Sequence, residues 1–202
     1  SASAKYTAEP GLATKVAVIY NNADAYSTGI YQTFEAEAAE LGLEVVSVAT
    51  FTNETTDFSV QLTQAREAGA ELVFLPIYAA EAATFLTQAA GKLDGVTYFG
   101  CDGLDGIQTK ISDTSLIEGL MMLTPFAADA EDAATQSFVE KYVPVHGTEP
   151  DQFAADGYDA VYIVKAAMEQ CGKTPADADF NEAMVAAMYE ITVAGLTGTM
   201  TW

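Results

Sequence analysis

The chain has 202 residues, enough for one domain or one and a half, and half of them are hydrophobic, so it can form a core. Its 8 basic and 29 acidic side chains give a net charge of −21, which argues against nucleic acids and anionic membrane surfaces as partners. The longest apolar run, residues 72–80, is far shorter than the roughly 20 residues that span a bilayer.

Short apolar runs rich in β-branched residues predict strands that are buried on both faces. Between them, apolar residues at helical spacing predict helices over 27–41, 57–68 and 79–92. Strand and helix alternate at intervals of about 25 to 30 residues, which is typical of parallel βαβ units. Up to residue 124 we therefore expect one doubly wound α/β unit, with helices on both faces of a parallel sheet. Its predicted strands are residues 15–20, 44–50, 71–76, 96–100 and 118–124.

The pattern changes after residue 124. Apolar stripes predict helices over 131–143, 152–171 and 179–189, and the chain ends in an extended segment, GLTGTMTW (195–202). About 65 residues of helix are therefore expected after the sheet, without a strand among them. The apolar faces of these helices must pack either on the sheet or on a part of the protein outside this chain.

The residues on which most enzymes and metal sites depend are scarce. The single histidine, His146, lies in VPVHGTEP, which predicts a loop, and one histidine provides no His-rich metal site. Cys101 and Cys171 allow at most one disulfide, and two unrelated thiols are the simpler interpretation. There is no GxSxG, Walker or GxGxxG motif. We therefore expect no catalytic, cofactor-binding or metal site, and the first ten residues lack the basic start and apolar stretch of a signal peptide.

Three side chains follow the ends of predicted strands, where open α/β sheets bind their ligands. Tyr26 comes after the first strand, Tyr78 after the third and Asp102 after the fourth. A carboxylate accepts charge-assisted hydrogen bonds from an ammonium group, and tyrosines offer apolar walls with one polar atom each. The set suits a small zwitterion with an apolar part. Each residue also has a structural interpretation, because Asp102 can belong to a turn and either tyrosine can be a packing residue.

Several segments, taken in order, resemble one family. They are KVAVIYNNADAYSTGIYQTFEAEAAELGLEVV (15–46), TTDFSVQLTQAREAGAELVFLPIYAAEAA (55–83), YFGCDGLDG (98–106) and FAADGYDAVYIVKAAMEQCG (153–172). Together with the terminal GLTGTMTW they are similar to type I periplasmic binding proteins, the branched-chain amino-acid (leucine/isoleucine/valine) receptors of ABC transporters. The resemblance covers residues 12–202.

The resemblance implies a protein of two lobes that are joined by three crossovers and close on a ligand like a hinge. Residues 12–124 correspond to the second ligand-binding lobe, a flavodoxin-like α/β unit. Residues 125–202 correspond to a crossover, followed by helices and a strand that pack with the first lobe, whose sheet is absent here. We expect the helices within 131–190 to expose apolar faces in the isolated chain, which should then fold them back or associate with a second copy.

The resemblance also assigns roles to individual residues. Tyr26 and Tyr78 correspond to tyrosines that line the cleft, and Asp102 corresponds to the acidic residue that takes the ligand's ammonium group. Tyr158 corresponds to an aromatic position near the pocket on the long helix. The family's hooks for the ligand carboxylate lie in the first lobe, and no stretch of this chain corresponds to them.

The function that the resemblance implies is that of an extracytoplasmic solute receptor. Such a receptor binds a small amino acid, here one with a branched or aliphatic side chain, and delivers it to an ABC permease without bond chemistry. Its location would be periplasmic or extracellular, with a lipid tether in the parent protein. The alternative is a sensory ligand-binding domain of the same fold. A receiver-type enzyme is disfavoured because Pro76 and Ile77 stand where a receiver carries an aspartate, and NNADAY is a poor phosphate loop for a flavodoxin.

Overall fold

The computed structural model describes residues 1–9 and 11–202, which form two compact units. Ser1–Leu123 is called the sheet unit and Thr124–Trp202 the helical unit. The sheet unit contains the strands β1 (Lys15–Asn21), β2 (Glu44–Phe51), β3 (Leu72–Leu75), β4 (Thr97–Cys101) and β5 (Met121–Leu123). Its helices are α1 (Ala2–Thr7), α2 (Ala25–Ala38), α3 (Ser59–Glu67) and α4 (Ala79–Ala89).

The five strands of the sheet unit form one parallel sheet in the order β2-β1-β3-β4-β5. The chain leaves β1 toward one side of the sheet and then returns to β3 on the other side, which is the flavodoxin-like winding. All four residues of β3 are buried, as expected for a central strand covered on both faces. The predicted doubly wound α/β fold is confirmed.

Two hydrophobic cores lie on the two faces of this sheet. Alternate residues of β1 divide between them, with Ala17 and Ile19 in one core and Val16 and Val18 in the other. The first core contains buried side chains of α3 and α4, and the second contains side chains of α1 and α2. The helices therefore cover both faces, and the carboxyl ends of the strands are left at one edge of the sheet.

The helical unit contains α5 (Ala133–His146), α6 (Gln152–Cys171), α7 (Phe180–Met188) and the strands β6 (Thr192–Ala194) and β7 (Thr199–Thr201). The two strands pair antiparallel, with Val193 opposite Met200. Both strands follow the last helix: β7 lies in the terminal segment that was predicted to be extended, whereas β6 was not predicted. A strand of three residues is too short to show an alternating pattern in the sequence.

The prediction that His146 lies in a loop is wrong, because His146 is the last residue of α5. The helix continues through Pro144 and is capped by Gly147, which takes a left-handed conformation and donates its N–H to the Val143 carbonyl. The imidazole of His146 stacks on the ring of Tyr142, with the ring centroids 4.0 Å apart. No helix in the described part of the chain is long and apolar enough to cross a membrane.

Candidate functional site

The carboxyl ends of β1, β3 and β4 lie side by side at one edge of the sheet. Ser27, in the first turn of α2, ties two of these ends together. Its hydroxyl accepts a hydrogen bond from the Asn21 N–H (2.8 Å) and donates one to the Pro76 carbonyl (2.6 Å). Asp24 caps α2 and accepts a hydrogen bond from the Ser27 N–H (2.8 Å). These bonds fix the backbone that carries Tyr26.

Three of the predicted site residues meet at this edge. The Tyr26 hydroxyl donates a hydrogen bond to Oδ1 of Asp102 over 2.9 Å. The rings of Tyr26 and Tyr78 stack, with their centroids 4.8 Å apart and an interplanar angle of 23°. Asp102 begins the short 3₁₀ turn Asp102–Leu104 directly after β4. One carboxylate and two phenols from segments that follow three different strands therefore form a single cluster, which we call the edge cluster.

Gly103 completes the cluster from the backbone. Its N–H donates a hydrogen bond to the Tyr26 hydroxyl oxygen over 2.8 Å. A Cβ atom at this position would lie 2.7 Å from the Ile77 carbonyl oxygen and 2.8 Å from the Tyr26 hydroxyl, which is too close for either atom. The sequence pattern indicates only that Gly103 belongs to a turn after a strand. Its role in the cluster depends on the proximity of Tyr26, which the pattern alone does not show.

The cluster combines one carboxylate with two neutral phenols. Burial raises the pKa of Tyr26, and the charge of Asp102 raises it further, so the phenol stays protonated at neutral pH. Burial and the charges of Asp24 and Asp102 also raise the pKa of Tyr78, which is 40% exposed. The open side of the cluster therefore presents an aromatic face beside a carboxylate, an arrangement that suits a cation attached to an apolar group.

Tyr158, the fourth predicted site residue, belongs to the helical unit and has a different set of partners. Its ring packs with Phe138 (5.0 Å between centroids) and Tyr162 (4.7 Å). These rings line a groove of about 430 Å³ within the helical unit, together with Tyr142, His146 and Leu196. The structure thus brings Tyr26, Tyr78 and Asp102 together and places Tyr158 in an aromatic groove of its own unit.

Asp159, beside Tyr158 on α6, was not singled out by the sequence. It is only 2% exposed and accepts three hydrogen bonds from the turn between β6 and β7. Oδ1 accepts from the Leu196 N–H (2.8 Å), and Oδ2 accepts from the N–H (2.9 Å) and the hydroxyl (2.8 Å) of Thr197. Its role within the helical unit is to hold this turn, because peptide N–H groups stabilise the carboxylate.

Other chemistry is sparse. Across residues 1–9 and 11–202 the structure forms no group of three His, Cys, Asp or Glu side chains that could hold a metal ion. Cys101 and Cys171 are both free thiols. Cys101 is buried at the end of β4, and burial raises the pKa of its thiol to about 11.

The whole chain, residues 1–202, matches the family model described as periplasmic binding protein. A Leu/Ile/Val-binding protein homolog of Brucella melitensis is 27% identical over 192 residues, which are 93% of this chain and 50% of that protein. The chain thus spans about half the length of the curated relatives it matches.

Solved structures agree in fold. The leucine binding protein LivK of Thermotoga maritima superposes with a TM-score of 0.80 at 25% identity, covering 99% of this chain and 56% of that one. A solute binding protein of R. palustris in complex with benzoate superposes with a TM-score of 0.81 at 20% identity, covering 99% of this chain and 54% of that one. These similar proteins are binding proteins rather than enzymes, in agreement with the prediction of a non-enzymatic protein. The chain belongs to the periplasmic binding protein family, in the type I group that includes the leucine/isoleucine/valine receptors, as the resemblance implied.

Proposed function

We propose that this chain carries the ligand-binding second lobe of an extracytoplasmic receptor that captures a small aliphatic amino acid and delivers it to an ABC permease. The observation that carries the proposal is the edge cluster. Tyr26 contacts both Asp102 and the partly exposed Tyr78 at the carboxyl edge of the sheet, next to the β1/β3 switch point where doubly wound folds bind ligands. Binding proteins of leucine among the similar structures and relatives support the same ligand class.

The chemistry of the cluster suits an amino acid in a defined orientation. The ammonium group of the ligand would donate charge-assisted hydrogen bonds to the Asp102 carboxylate. Its aliphatic side chain would lie against the exposed ring of Tyr78, and Tyr26 would support that ring from behind by stacking. A partner for the ligand's own carboxylate would come from the other lobe.

The proposed division of the chain follows from this orientation. Residues 12–124 would form the second lobe, and residues 125–202 would form the crossover and the helices that pack with the first lobe. Because the chain spans about half of its relatives, the first lobe would belong to a longer parent protein. Closure of the two lobes would supply a large share of the affinity, so the 202-residue chain alone should bind weakly. The parent protein would act in the periplasm or outside the cell, held there by a lipid tether.

The helical unit supports a second part of the proposal, the self-association of the isolated chain. Helices α6 and α7 expose several apolar side chains, among them Val161, Val164 and Val185, and Tyr189 directly after α7 is also exposed. Val161 and Val164 are three residues apart on α6 and so share a face of that helix, and large exposed apolar patches are seldom left open to water. In the parent protein the first lobe would cover this surface, and in the isolated chain a second copy would do so.

The test of the ligand class is a calorimetric titration of the parent protein with the twenty amino acids. We expect binding of leucine, isoleucine or valine, and a loss of about 10- to 100-fold in affinity in Asp102→Ala, because hydrogen bonds to a charged group are lost. The matched control is Glu67→Gln, which also removes one negative charge but lies at the end of α3, before the amino end of β3. Equal affinity in wild type and Asp102→Ala would overturn the role of this carboxylate.

The benzoate complex of a similar structure supplies the competing ligand class, an aromatic acid. The stacked tyrosines could hold an aromatic ring, and this observation favours that class. The Asp102 carboxylate opposes it, because two carboxylates in one partly buried site repel each other. Titration with benzoate beside leucine decides between them: tighter binding of benzoate would refute the amino-acid proposal.

A further inference from the structure

We infer that Tyr26 is a positioning residue whose hydroxyl, oriented by the Gly103 N–H, holds the Asp102 carboxylate and thereby sets the selectivity of the site for ligands that carry an ammonium group. The inference rests on the proposed function, since it concerns the same site. It gives Tyr26 a role beyond that of an apolar wall and adds Gly103 to the residues that determine selectivity.

The first step is the direction of the Tyr26 proton. A phenol hydroxyl has one proton to donate and lone pairs to accept with. The Gly103 N–H already donates to the Tyr26 oxygen over 2.8 Å, so the oxygen acts as acceptor on that side. The single hydroxyl proton is therefore directed to Oδ1 of Asp102, 2.9 Å away. The backbone thus fixes the direction in which the tyrosine donates.

The second step is the rigidity of Tyr26 itself. The hydroxyl of the neighbouring Ser27 links Pro76 to Asn21, so the first turn of α2 is anchored to the ends of β1 and β3. The Tyr26 ring is stacked on Tyr78 and cannot swing away without losing that contact. Burial also raises the pKa of the phenol, which keeps the donor proton in place at neutral pH. The donor is therefore preorganised before any ligand arrives.

The third step is the consequence for ligand choice. An ionised carboxylate accepts hydrogen bonds and donates none, and the Tyr26 hydroxyl holds one of its oxygens by donating to Oδ1 of Asp102. An ammonium group brings three donors to such an acceptor, whereas a ligand without an ammonium group brings none to it. Sites built around a buried polar partner reject ligands that lack the matching group much more strongly than apolar pockets reject an altered shape. Tyr26 and Gly103 would therefore act on the discrimination between ligands, and not only on affinity.

The test compares leucine with isocaproate, which is leucine without its ammonium group, in the parent protein and in Tyr26→Phe. The substitution keeps the ring and its stack on Tyr78 but removes the hydroxyl. We expect the ratio of the two dissociation constants, isocaproate over leucine, to fall about tenfold or more in Tyr26→Phe. The matched control is Tyr31→Phe on the same helix, whose hydroxyl bonds to Glu35 over 2.5 Å outside the cluster. This control should keep the wild-type ratio.

A merely structural role for Tyr26 would weaken the binding of leucine and isocaproate by the same factor, so an unchanged ratio overturns the inference while the proposed function stands. Binding of no amino acid by the wild-type parent protein defeats the proposed function, and the inference with it. Gly103→Ala offers a second variant that reaches the same hydroxyl from the backbone side. It too should lower the ratio of the two dissociation constants, and an unchanged ratio in Gly103→Ala would contradict the role given to Gly103.

Discussion

Gly103 is the most tightly enclosed position of the edge cluster, since an added methyl group would meet the Ile77 carbonyl at 2.7 Å and the Tyr26 hydroxyl at 2.8 Å. We predict that Gly103→Ala lowers the free energy of unfolding by about 1–3 kcal/mol, because backbone must move to make room. Gly29→Ala is the matched control. This glycine lies inside α2 with open space around it, so the substitution should raise stability by about 0.5–1 kcal/mol.

Urea denaturation of both variants measures these two changes directly. We expect the free energy of unfolding to fall in Gly103→Ala and to rise in Gly29→Ala. A Gly103→Ala variant as stable as wild type would show that the loop after β4 is looser than the structure has it.

Asp159 provides a second prediction, within the helical unit. Asp159→Ala removes the acceptor for the N–H groups of Leu196 and Thr197 and should lower the free energy of unfolding by about 3 kcal/mol, because buried donors are left unpaired. Hydrogen exchange at these two amides should accelerate. Asp177→Ala removes a similar carboxylate from the N–H of Thr174, but at an exposed turn, and should cost less. Equal effects of the two substitutions would contradict the account of the Asp159 contacts.

Strand β3 carries the centre of the sheet unit. Phe74 lies between Phe34 and Phe99, with ring centroids 4.4 Å and 5.6 Å away, and is fully buried. We predict that Phe74→Ala lowers the free energy of unfolding by about 3–5 kcal/mol, through lost burial and the cavity left behind. Val60→Ala on α3 should change it by less than about 0.5 kcal/mol, because that side chain is 64% exposed. Similar midpoints of urea unfolding for the two variants would contradict the core described here.

The predictability of each element follows from its pattern. Strands β1 and β3 are continuous apolar runs, so their existence and type follow from the sequence, and their ends lie within about two residues of the prediction. Helix α6 was predicted with its observed bounds, Gln152–Cys171. Short elements behave differently. The six residues of α1 and the three of β6 are too few to show a period, so neither was predicted.

The predictability of the site has a similar limit. The sequence predicts where the strands end, and the residues that follow those ends include Tyr26, Tyr78 and Asp102. Alternation of strands and helices leaves the order of the strands open, and the order β2-β1-β3-β4-β5 decides which loops become neighbours. The bonds from Tyr26 to Asp102 and from Gly103 to Tyr26 depend on that order and on rotamers, so no sequence pattern shows them.

The behaviour of the isolated chain in solution tests the proposed role of the helical unit. We predict that its mass, measured by light scattering, exceeds 21.3 kDa at high concentration and rises with salt, because salt screens the repulsion between copies of charge −21. Val161→Glu should shift the chain toward the monomer. The control is Val60→Glu on the sheet unit, where the side chain is 64% exposed against 67% for Val161, and it should leave the mass unchanged. A monomer at all concentrations and salt levels would refute self-association.

The central claim is that Asp102 receives the ammonium group of an amino acid at the carboxyl edge of the sheet. The most direct measurement is a crystal structure of the parent protein with bound leucine. The account predicts the ligand nitrogen at about 2.7–3.2 Å from an Asp102 carboxylate oxygen, with the aliphatic side chain against the ring of Tyr78. A ligand that turns its carboxylate or its side chain toward Asp102, or that binds away from Tyr26 and Tyr78, would contradict it.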